Sequence, residues 1–100
     1  MNIYKIINRQ KYLLLLQEEE EYQVFFLLTD IYSEESSFYR SNFFPLNKNG
    51  KLKKQYYIDT SRRYRIKNDS IQFKKYTQLT TDDQRKLLHF LENKESKVRF

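Results

Sequence analysis

The stretch Gln23-Val24-Phe25-Phe26-Leu27-Leu28-Thr29 contains five consecutive apolar side chains, two of them aromatic. Aromatic and β-branched residues fit the pleated surface of a sheet, so this composition favours a strand. Because apolar side chains point to both faces of such a strand, both faces must be covered by other parts of the chain. The stretch therefore predicts a buried strand over residues 23–29, around which the rest of the fold is arranged.

On the N-terminal side, residues 2–7 are predicted as a first strand, and residues 9–21 allow two interpretations. The second segment contains good helix formers and no Gly or Pro, which favours a short N-terminal helix. Its four consecutive leucines also suit one strand of a hairpin with residues 23–29. The Glu run at residues 18–21 is expected to be a solvated helix end or a turn, away from any basic surface, because like charges repel phosphate.

On the C-terminal side, period-two alternation indicates several short strands separated by turn residues. Pro45 suits the end or edge of a strand because it lacks a backbone N–H. Asn49-Gly50 tolerates positive φ at both central positions of a hairpin turn. The predicted strands cover residues 38–46, 52–59 and 63–67, with a last short strand through Ile71 and Phe73, a loop at residues 33–37, and turns at residues 47–50 and 68–70.

The segment at residues 81–94 has both a helix start signal and an apolar stripe. Thr80 offers an N-cap hydroxyl, and Asp82 and Asp83 place negative charge in the first turn, where the helix dipole favours it. The stripe consists of Leu87, Leu88 and Leu91, with Phe90 alongside. Antiparallel strands with one C-terminal helix indicate an α+β class or a small barrel, in one domain over residues 1–100.

Rare residue types exclude several kinds of site. The chain has no Cys, one His and one Gly, which excludes disulfides, thiolate metal sites, paired-histidine catalysis and a Gly-rich phosphate loop. His89 is interpreted as a surface or half-buried side chain, so no metal and no cofactor is expected. No apolar run approaches the roughly 20 residues of a membrane span, and the N-terminus lacks a signal-peptide pattern. The expected location is the cytoplasm.

Positive charge is concentrated in the middle of the chain. Residues 48–75 hold ten basic and two acidic side chains, a net charge of +8, whereas residues 1–47 have a net charge of −3. A local excess of this size attracts polyanions, so nucleic acid is the expected partner. The alternative is a solvated surface of lysines with no ligand.

Residues 56–67 interleave basic and aromatic side chains. Arg holds a phosphate with two parallel hydrogen bonds, and Tyr provides a face on which a base can stack. The side chains expected to face inward are Tyr56, Tyr64 and Phe73, and those expected to be exposed are Tyr57 and Tyr76. The predicted RNA-binding residues are Lys51, Lys53, Lys54, Tyr57, Arg62, Arg63, Arg65 and Lys67.

The same segment could also support metal-independent RNA cleavage. Arg would stabilise the pentavalent phosphate, and a neighbouring hydroxyl would orient the ribose 2′-OH. The candidate catalytic residues on this interpretation are Arg62, Ser61 and Arg65.

From about Gln23 to Glu92, the order of features resembles the PemK/MazF-like toxins of bacterial toxin–antitoxin systems. An apolar strand at residues 24–28 is followed by a second strand and then by residues 53–61, which end in Asp-Thr-Ser. A basic strand comes next. Residues 75–83, with a Leu-Thr-x-x-Asp pattern, then lead into the last helix.

This resemblance implies an SH3-like barrel, a dimer, metal-independent cleavage of single-stranded RNA and neutralisation by a protein or RNA antitoxin. Three positions depart from the family, one of which is Thr77, where the family usually has Gly just before the Leu-Thr motif. Its catalytic Arg, in an Arg-Pro pair before the apolar strand, has no counterpart, because the matching loop at residues 18–23 contains no Arg or Lys. Its catalytic Thr or Ser falls near Asn47, which has no hydroxyl. The fold is therefore expected to carry over more fully than the active site.

Three functions are compatible with these patterns. The first is a toxin-like endoribonuclease, favoured by the central basic strands. The second is a non-catalytic nucleic-acid-binding module, which the same stretch supports without any catalytic residue. The third is a phage- or plasmid-encoded protein inhibitor of a host or defence factor, whose basic surface would dock on an acidic partner. The first two differ in whether RNA is consumed, and the third predicts weak RNA binding.

Overall fold

The computed structural model describes residues 1–47 and 51–98, with side chains through residue 94 in the last helix. Six strands and two helices lie within these residues. In chain order they are β1 (Asn2–Ile6), β2 (Tyr12–Glu18), β3 (Tyr22–Thr29), α1 (Ser37–Asn42), β4 (Phe43–Pro45), β5 (Tyr57–Lys67), β6 (Phe73–Gln78) and α2 (Thr81–Val98). The turn predicted at residues 47–50 lies, apart from Asn47, outside the described residues.

The six strands form one antiparallel sheet in the order β4-β5-β3-β2-β1-β6. β1, β2 and β3 are neighbours in sequence and in space, β5 then pairs with β3, and β6 pairs with the other side of β1. β3 is the buried strand predicted at residues 23–29. β4 and β6 are the two edges, so the sheet is open over the described residues. The α+β class is therefore confirmed.

Strand β2 occupies residues 12–18, so the short N-terminal helix predicted within residues 9–21 is wrong. Asn8 has a φ of 69° and turns the chain between β1 and β2. Leu13 and Leu14 are both buried, although adjacent side chains of a strand point to opposite faces. Burial on both faces of a sheet thus overrides the helix propensity of the segment.

The predicted strand at residues 38–46 is also wrong over its first half, which forms helix α1. Ser36 is the N-cap, and its hydroxyl accepts a hydrogen bond from the Tyr39 amide at 3.5 Å. Only the second half is a strand, the three-residue β4, which ends at Pro45 on an edge of the sheet. The expectation that Pro45 marks a strand end is therefore confirmed.

One long strand, β5, replaces the two strands predicted at residues 52–59 and 63–67. Residues 51–56 are irregular instead, because Leu52 turns into the core, where it is 3% exposed. β5 contains a large bulge at residues 60–63. Leu27 of β3 lies opposite Asp59, and Phe25 of β3 lies opposite Tyr64. Two steps along β3 therefore correspond to five steps along β5. The bulge therefore places three extra residues on β5.

The turn predicted at residues 68–70 is confirmed. Asp69 has a φ of 66°, and the Ser70 amide donates to the Lys67 carbonyl at 3.2 Å. The last strand was predicted through Ile71 and Phe73, but it begins at Phe73, leaves Ile71 outside, continues to Gln78 and pairs with β1 along its length.

Helix α2 covers one face of the sheet and completes the main core. Its N-cap is Thr80, whose hydroxyl accepts from the Asp83 amide at 3.1 Å, so the predicted helix start is confirmed. The Asp83 carboxylate does not act as a simple capping charge, because it is buried and bound to Asn47. Neither helix within the described residues is long and apolar enough to cross a membrane. The core residues with no exposed surface are Ile3, Leu14, Ile58 and Leu87.

The opposite face of the sheet carries a second apolar cluster. The ring centroids of Phe25 and Phe73 lie 5.0 Å apart, and Tyr4 contacts both rings at 6.4 Å. β3 and β6 are separated by two strands, so in a flat sheet they would be roughly 14 Å apart. The contact therefore requires a strongly coiled sheet, the shape that open sheets acquire from the right-handed twist of their strands.

Candidate nucleic-acid interface

The basic residues that are close in sequence lie in three separate places. β5 has 11 residues, three of them extra residues of the bulge, so the strand spans roughly 26 Å. Lys51, Lys53 and Lys54 precede β5 and lie near one end of it, whereas Arg65 and Lys67 lie at the other end. Arg62 and Arg63 lie between them, on the bulge. The predicted RNA-binding residues therefore do not form one surface.

Arg65 is already engaged by an acidic residue. Its Nη2 atom lies 2.9 Å from Glu19 Oε2, and its guanidinium carbon lies 4.0 Å from the ring centroid of Tyr22. This hydrogen bond to Glu19 raises the pKa of the guanidinium. The Glu run at residues 18–21 was expected to lie away from the basic surface, and that expectation is wrong. The run turns the chain from β2 into β3, and β3 pairs with β5, which brings it to Arg65.

The candidate catalytic residues also have separate partners. The Ser61 hydroxyl and amide both donate to Asp59 Oδ1, the amide at 2.9 Å. Arg62 is exposed on the bulge, while Arg63 lies 5.8 Å from the ring centroid of Phe26. Among the described side chains, no hydrogen bond links Ser61, Arg62 and Arg65 to one another. The bulge displays Ser61 and Arg62 together, and Arg65 belongs to a different contact.

Lys94 is a basic residue near the bulge that sequence reasoning missed. Its Nζ donates to the Thr60 carbonyl at 2.9 Å and to the Thr60 hydroxyl at 3.1 Å. Burial lowers the pKa of Lys94, and the Asp59 carboxylate opposes this shift. The contact ties α2 to β5 across 34 residues of sequence, a separation at which no spacing pattern could have indicated it.

An open groove of about 490 Å³ with several basic side chains lies at the end of the sheet where β3 ends and β2 begins. It is lined by one carboxylate, Asp30, and by several lysines and tyrosines. We call it the lysine groove and define it by Lys11, Lys51, Lys53, Lys54, Tyr12, Tyr56, Tyr76 and Asp30. Its charged side chains give it a net charge of +3.

Three tyrosines form the floor of the lysine groove. The Tyr12 ring centroid lies 5.4 Å from that of Tyr56 and 5.0 Å from that of Tyr76. Tyr76, expected to be exposed, is half-buried and packs against the core together with Tyr56. Burial raises the pKa of the Tyr56 phenol, and Asp30 and Tyr76 raise it further, so the phenol keeps its proton at neutral pH. Tyr12 itself is buried, at 7% exposure, so the aromatic surface open to the groove comes from the half-buried Tyr56 and Tyr76.

A reciprocal contact fixes one wall of the groove. Lys51 Nζ donates to the Tyr76 carbonyl at 2.9 Å, and the Tyr76 hydroxyl donates to the Lys51 carbonyl at 2.9 Å. The same ammonium lies 5.4 Å from the Tyr76 ring centroid. This pair attaches the irregular segment before β5 to strand β6, and it places an ammonium at the groove before any ligand arrives.

The other lysines of the groove are exposed. Lys54 Nζ lies 3.7 Å from Asp30 Oδ2, and both side chains are more than half exposed, so this ion pair contributes little stability. Lys53 and Lys11 have no ion pair within the described residues. Lys11 and Tyr12 were missed by sequence reasoning because the segment that carries them was interpreted as a helix. Long flexible ammonium groups around an open groove can bind phosphates as point charges.

Tyr57, predicted to bind RNA, points away from the tyrosine floor. Its neighbour in β5, Ile58, faces the core, so the Tyr57 side chain lies on the opposite face of the sheet. There it stacks on Tyr32, with centroids 4.2 Å apart and ring planes 6° from parallel. The structure therefore assigns Tyr57 to a second aromatic surface.

The described residues offer no metal site. His89 is exposed on α2, and no three His, Asp or Glu side chains within the described part of the chain are close enough to hold an ion. The chain matches no protein-family model, no curated protein and no solved structure.

Proposed function

We propose that this protein binds single-stranded nucleic acid, with RNA as the expected form, through the lysine groove. The observation that carries the proposal is the gathering of four ammonium groups and three tyrosines around one open groove with a single carboxylate. These residues come from three separate parts of the sequence, and only the fold brings them together. Lysines neutralise phosphates without regard to sequence, and aromatic rings contact bases.

RNA cleavage, as in the PemK/MazF-like toxins, is the second candidate. It is favoured by the bulge in β5, because bulges commonly re-aim side chains beside active sites. Here the bulge exposes Arg62 next to Ser61, whose hydroxyl is oriented by Asp59. The SH3-like barrel, the dimer, the antitoxin and the cytoplasmic location belong to this second proposal. The strong coiling of the sheet is compatible with such a barrel.

Binding is tested by measuring the affinity for a labelled unstructured RNA over a range of salt concentrations. In the groove variant, Lys11, Lys53 and Lys54 are each replaced by Gln, and Lys51 is kept because it supports the groove. Loss of three phosphate contacts should lower the slope of log affinity against log salt by about 2. A matched control replaces Lys67, Lys75 and Lys86 by Gln, which changes the net charge equally outside the groove. Equal effects of the two variants would contradict the groove assignment.

Cleavage is tested on the same RNA by mapping its ends after incubation with a metal chelator. Discrete cuts that disappear in an Arg62→Ala, Arg63→Ala variant would favour the ribonuclease. Intact RNA with salt-sensitive binding supports the binding module. Intact RNA with no measurable affinity overturns both proposals, and it would direct the search to an acidic protein partner.

A further inference from the structure

A second aromatic surface lies on the sheet face opposite α2. We call it the aromatic patch and define it by Tyr32, Phe38, Tyr39 and Tyr57, whose rings contact one another. Phe38 is 53% exposed, which is unusual for a side chain of this size, and the other three residues are half-buried. The segment before β4 supplies three of the four side chains, and β5 supplies Tyr57. A cluster of partly exposed aromatic side chains of this kind marks a binding surface.

The rings of the patch are held in fixed orientations. Tyr32 and Tyr57 form the parallel stack already described. Tyr39 packs edge-on against the buried Phe43, with centroids 4.6 Å apart. Phe38 contacts Tyr39 and Phe43 edge-on, at 5.8 Å and 6.0 Å. The Phe38 ring is therefore positioned by its neighbours while more than half of its surface stays open to a ligand.

The patch adjoins the lysine groove. Thr29, at the end of β3, lines the groove and lies directly opposite Tyr57 in the β3–β5 pairing. Asp30 follows in the groove and pairs with Lys54, and Tyr32 of the patch lies two residues further along the chain. A ligand held by the lysines can therefore reach the aromatic rings around the end of the sheet.

We propose that the aromatic patch is a base-stacking subsite for unpaired nucleobases. This inference rests on the proposed function, because the phosphates of the same strand would be held by Lys53 and Lys54 in the groove. Phe38 and the Tyr32–Tyr57 stack offer flat apolar surface to bases of any sequence. A nucleic acid whose bases are paired cannot present them to the patch, so the site selects single strands.

The acidic residues near the patch restrict the path of the strand. Asp30, Glu34 and Glu35 are exposed around it, and each would repel a phosphate. Arg40 donates to the Glu34 carbonyl oxygen and leaves the Glu34 carboxylate unneutralised. The phosphate backbone therefore stays on the lysine side, and only the uncharged bases turn toward the patch.

The test compares two labelled single strands of equal length, one with bases and one abasic, for the wild type and for Phe38→Ala. Loss of one stacked base should weaken binding of the base-bearing strand about tenfold. Binding of the abasic strand should not change, because its phosphate contacts remain. Leu88→Ala, at a similarly exposed leucine of α2, is the matched control and should leave both affinities unchanged.

The outcomes separate the two proposals. No effect of Phe38→Ala on the affinity for the base-bearing strand would overturn the base-stacking subsite and leave groove binding intact, whether or not the wild type prefers that strand. If Phe38→Ala lowered the affinity for both strands equally, the subsite would also be overturned, since the effect would then not depend on bases. A wild type that binds neither strand would overturn the proposed function itself, and the subsite with it.

Discussion

Asp83 is a buried carboxylate that holds a distant loop in place. Its two oxygens accept hydrogen bonds from the Asn47 amide at 3.1 Å and from Asn47 Nδ2 at 3.0 Å, and the residue is 3% exposed. We expect Asp83→Ala to lower the free energy of unfolding by about 2 kcal/mol, because two hydrogen bonds from Asn47 to a charged acceptor would be lost. This change is measured by unfolding both proteins in urea while circular dichroism monitors the loss of structure.

Asp82 is the matched control for that prediction. It is adjacent in sequence, but its carboxylate pairs with Arg85 and Lys86 at the surface of α2. Exposed pairs of this kind contribute below about 1 kcal/mol, so Asp82→Ala should lower the free energy of unfolding much less than Asp83→Ala does. Losses of the same size in the two variants would show that Asp83 acts only through the helix dipole.

Single-residue roles could be predicted from sequence only where the partner is local. The hydroxyl of Thr80 and the amide of Asp83 are three residues apart, and the N-cap was predicted correctly from that spacing. The bond from Asp83 to Asn47 and the bond from Lys94 to Thr60 join residues 36 and 34 positions apart. Such contacts follow from the topology, which a sequence pattern does not contain.

At the scale of the element, α2 packs by one stripe of side chains. Leu87 is fully buried, whereas Leu88, the next residue, is 43% exposed. We expect Leu87→Ala to lower the free energy of unfolding by about 3 kcal/mol, since it leaves a cavity between α2 and the sheet. Leu88→Ala should change it by less than about 1 kcal/mol. Thermal unfolding of the two variants is the measurement, and a larger effect at Leu88 would contradict the orientation of α2.

Elements were predicted well where their periodicity was clear and poorly where tertiary contacts decided. The apolar stretch of β3 and the apolar stripe of α2 predicted a strand and a helix correctly, although Leu88, included in the predicted stripe, is exposed. The leucines of β2 have high helix propensity, yet a sheet buries both of their sides. In α1, the capping hydroxyl of Ser36 outweighs the aromatic side chains that favoured a strand. Residues 51–56 leave regular structure because Leu52 enters the core.

At the scale of the whole molecule, the coiling of the sheet is maintained by contacts between distant strands. Phe73 of β6 is half-buried against Phe25 of β3. We expect Phe73→Ala to lower the free energy of unfolding by about 2 kcal/mol, part of the value typical of a fully buried Phe. Phe38→Ala, also half-exposed but on the aromatic patch, should change it by less than about 1 kcal/mol. Chemical denaturation of both variants checks this, and similar losses would mean that the Phe25–Phe73 contact does not stabilise the coil.

The excess of positive charge was evident from the sequence, but its arrangement in space was not. One segment of 28 residues carries a net charge of +8. The fold divides it among the lysine groove, the bulge of β5 and the far end of β5, where Glu19 meets Arg65. The fold also brings Lys11, from the turn between β1 and β2, into the groove. Basic residues that are neighbours in sequence therefore need not share one surface.

The pairing of β1 with β6 has a consequence for how the protein is made. Ile3 of β1 lies opposite Thr77 of β6. Among the six strands, β1 is therefore synthesised before the others but acquires its second neighbour only when β6 has been made. The β1–β2–β3 segment can form early from local contacts, but until β6 emerges the backbone of β1 is an open edge that can pair with another nascent chain. Lys5, in the middle of β1, places a charge on that edge. The yield of folded protein is therefore expected to depend on how soon residues 73–78 leave the ribosome after β1 has formed.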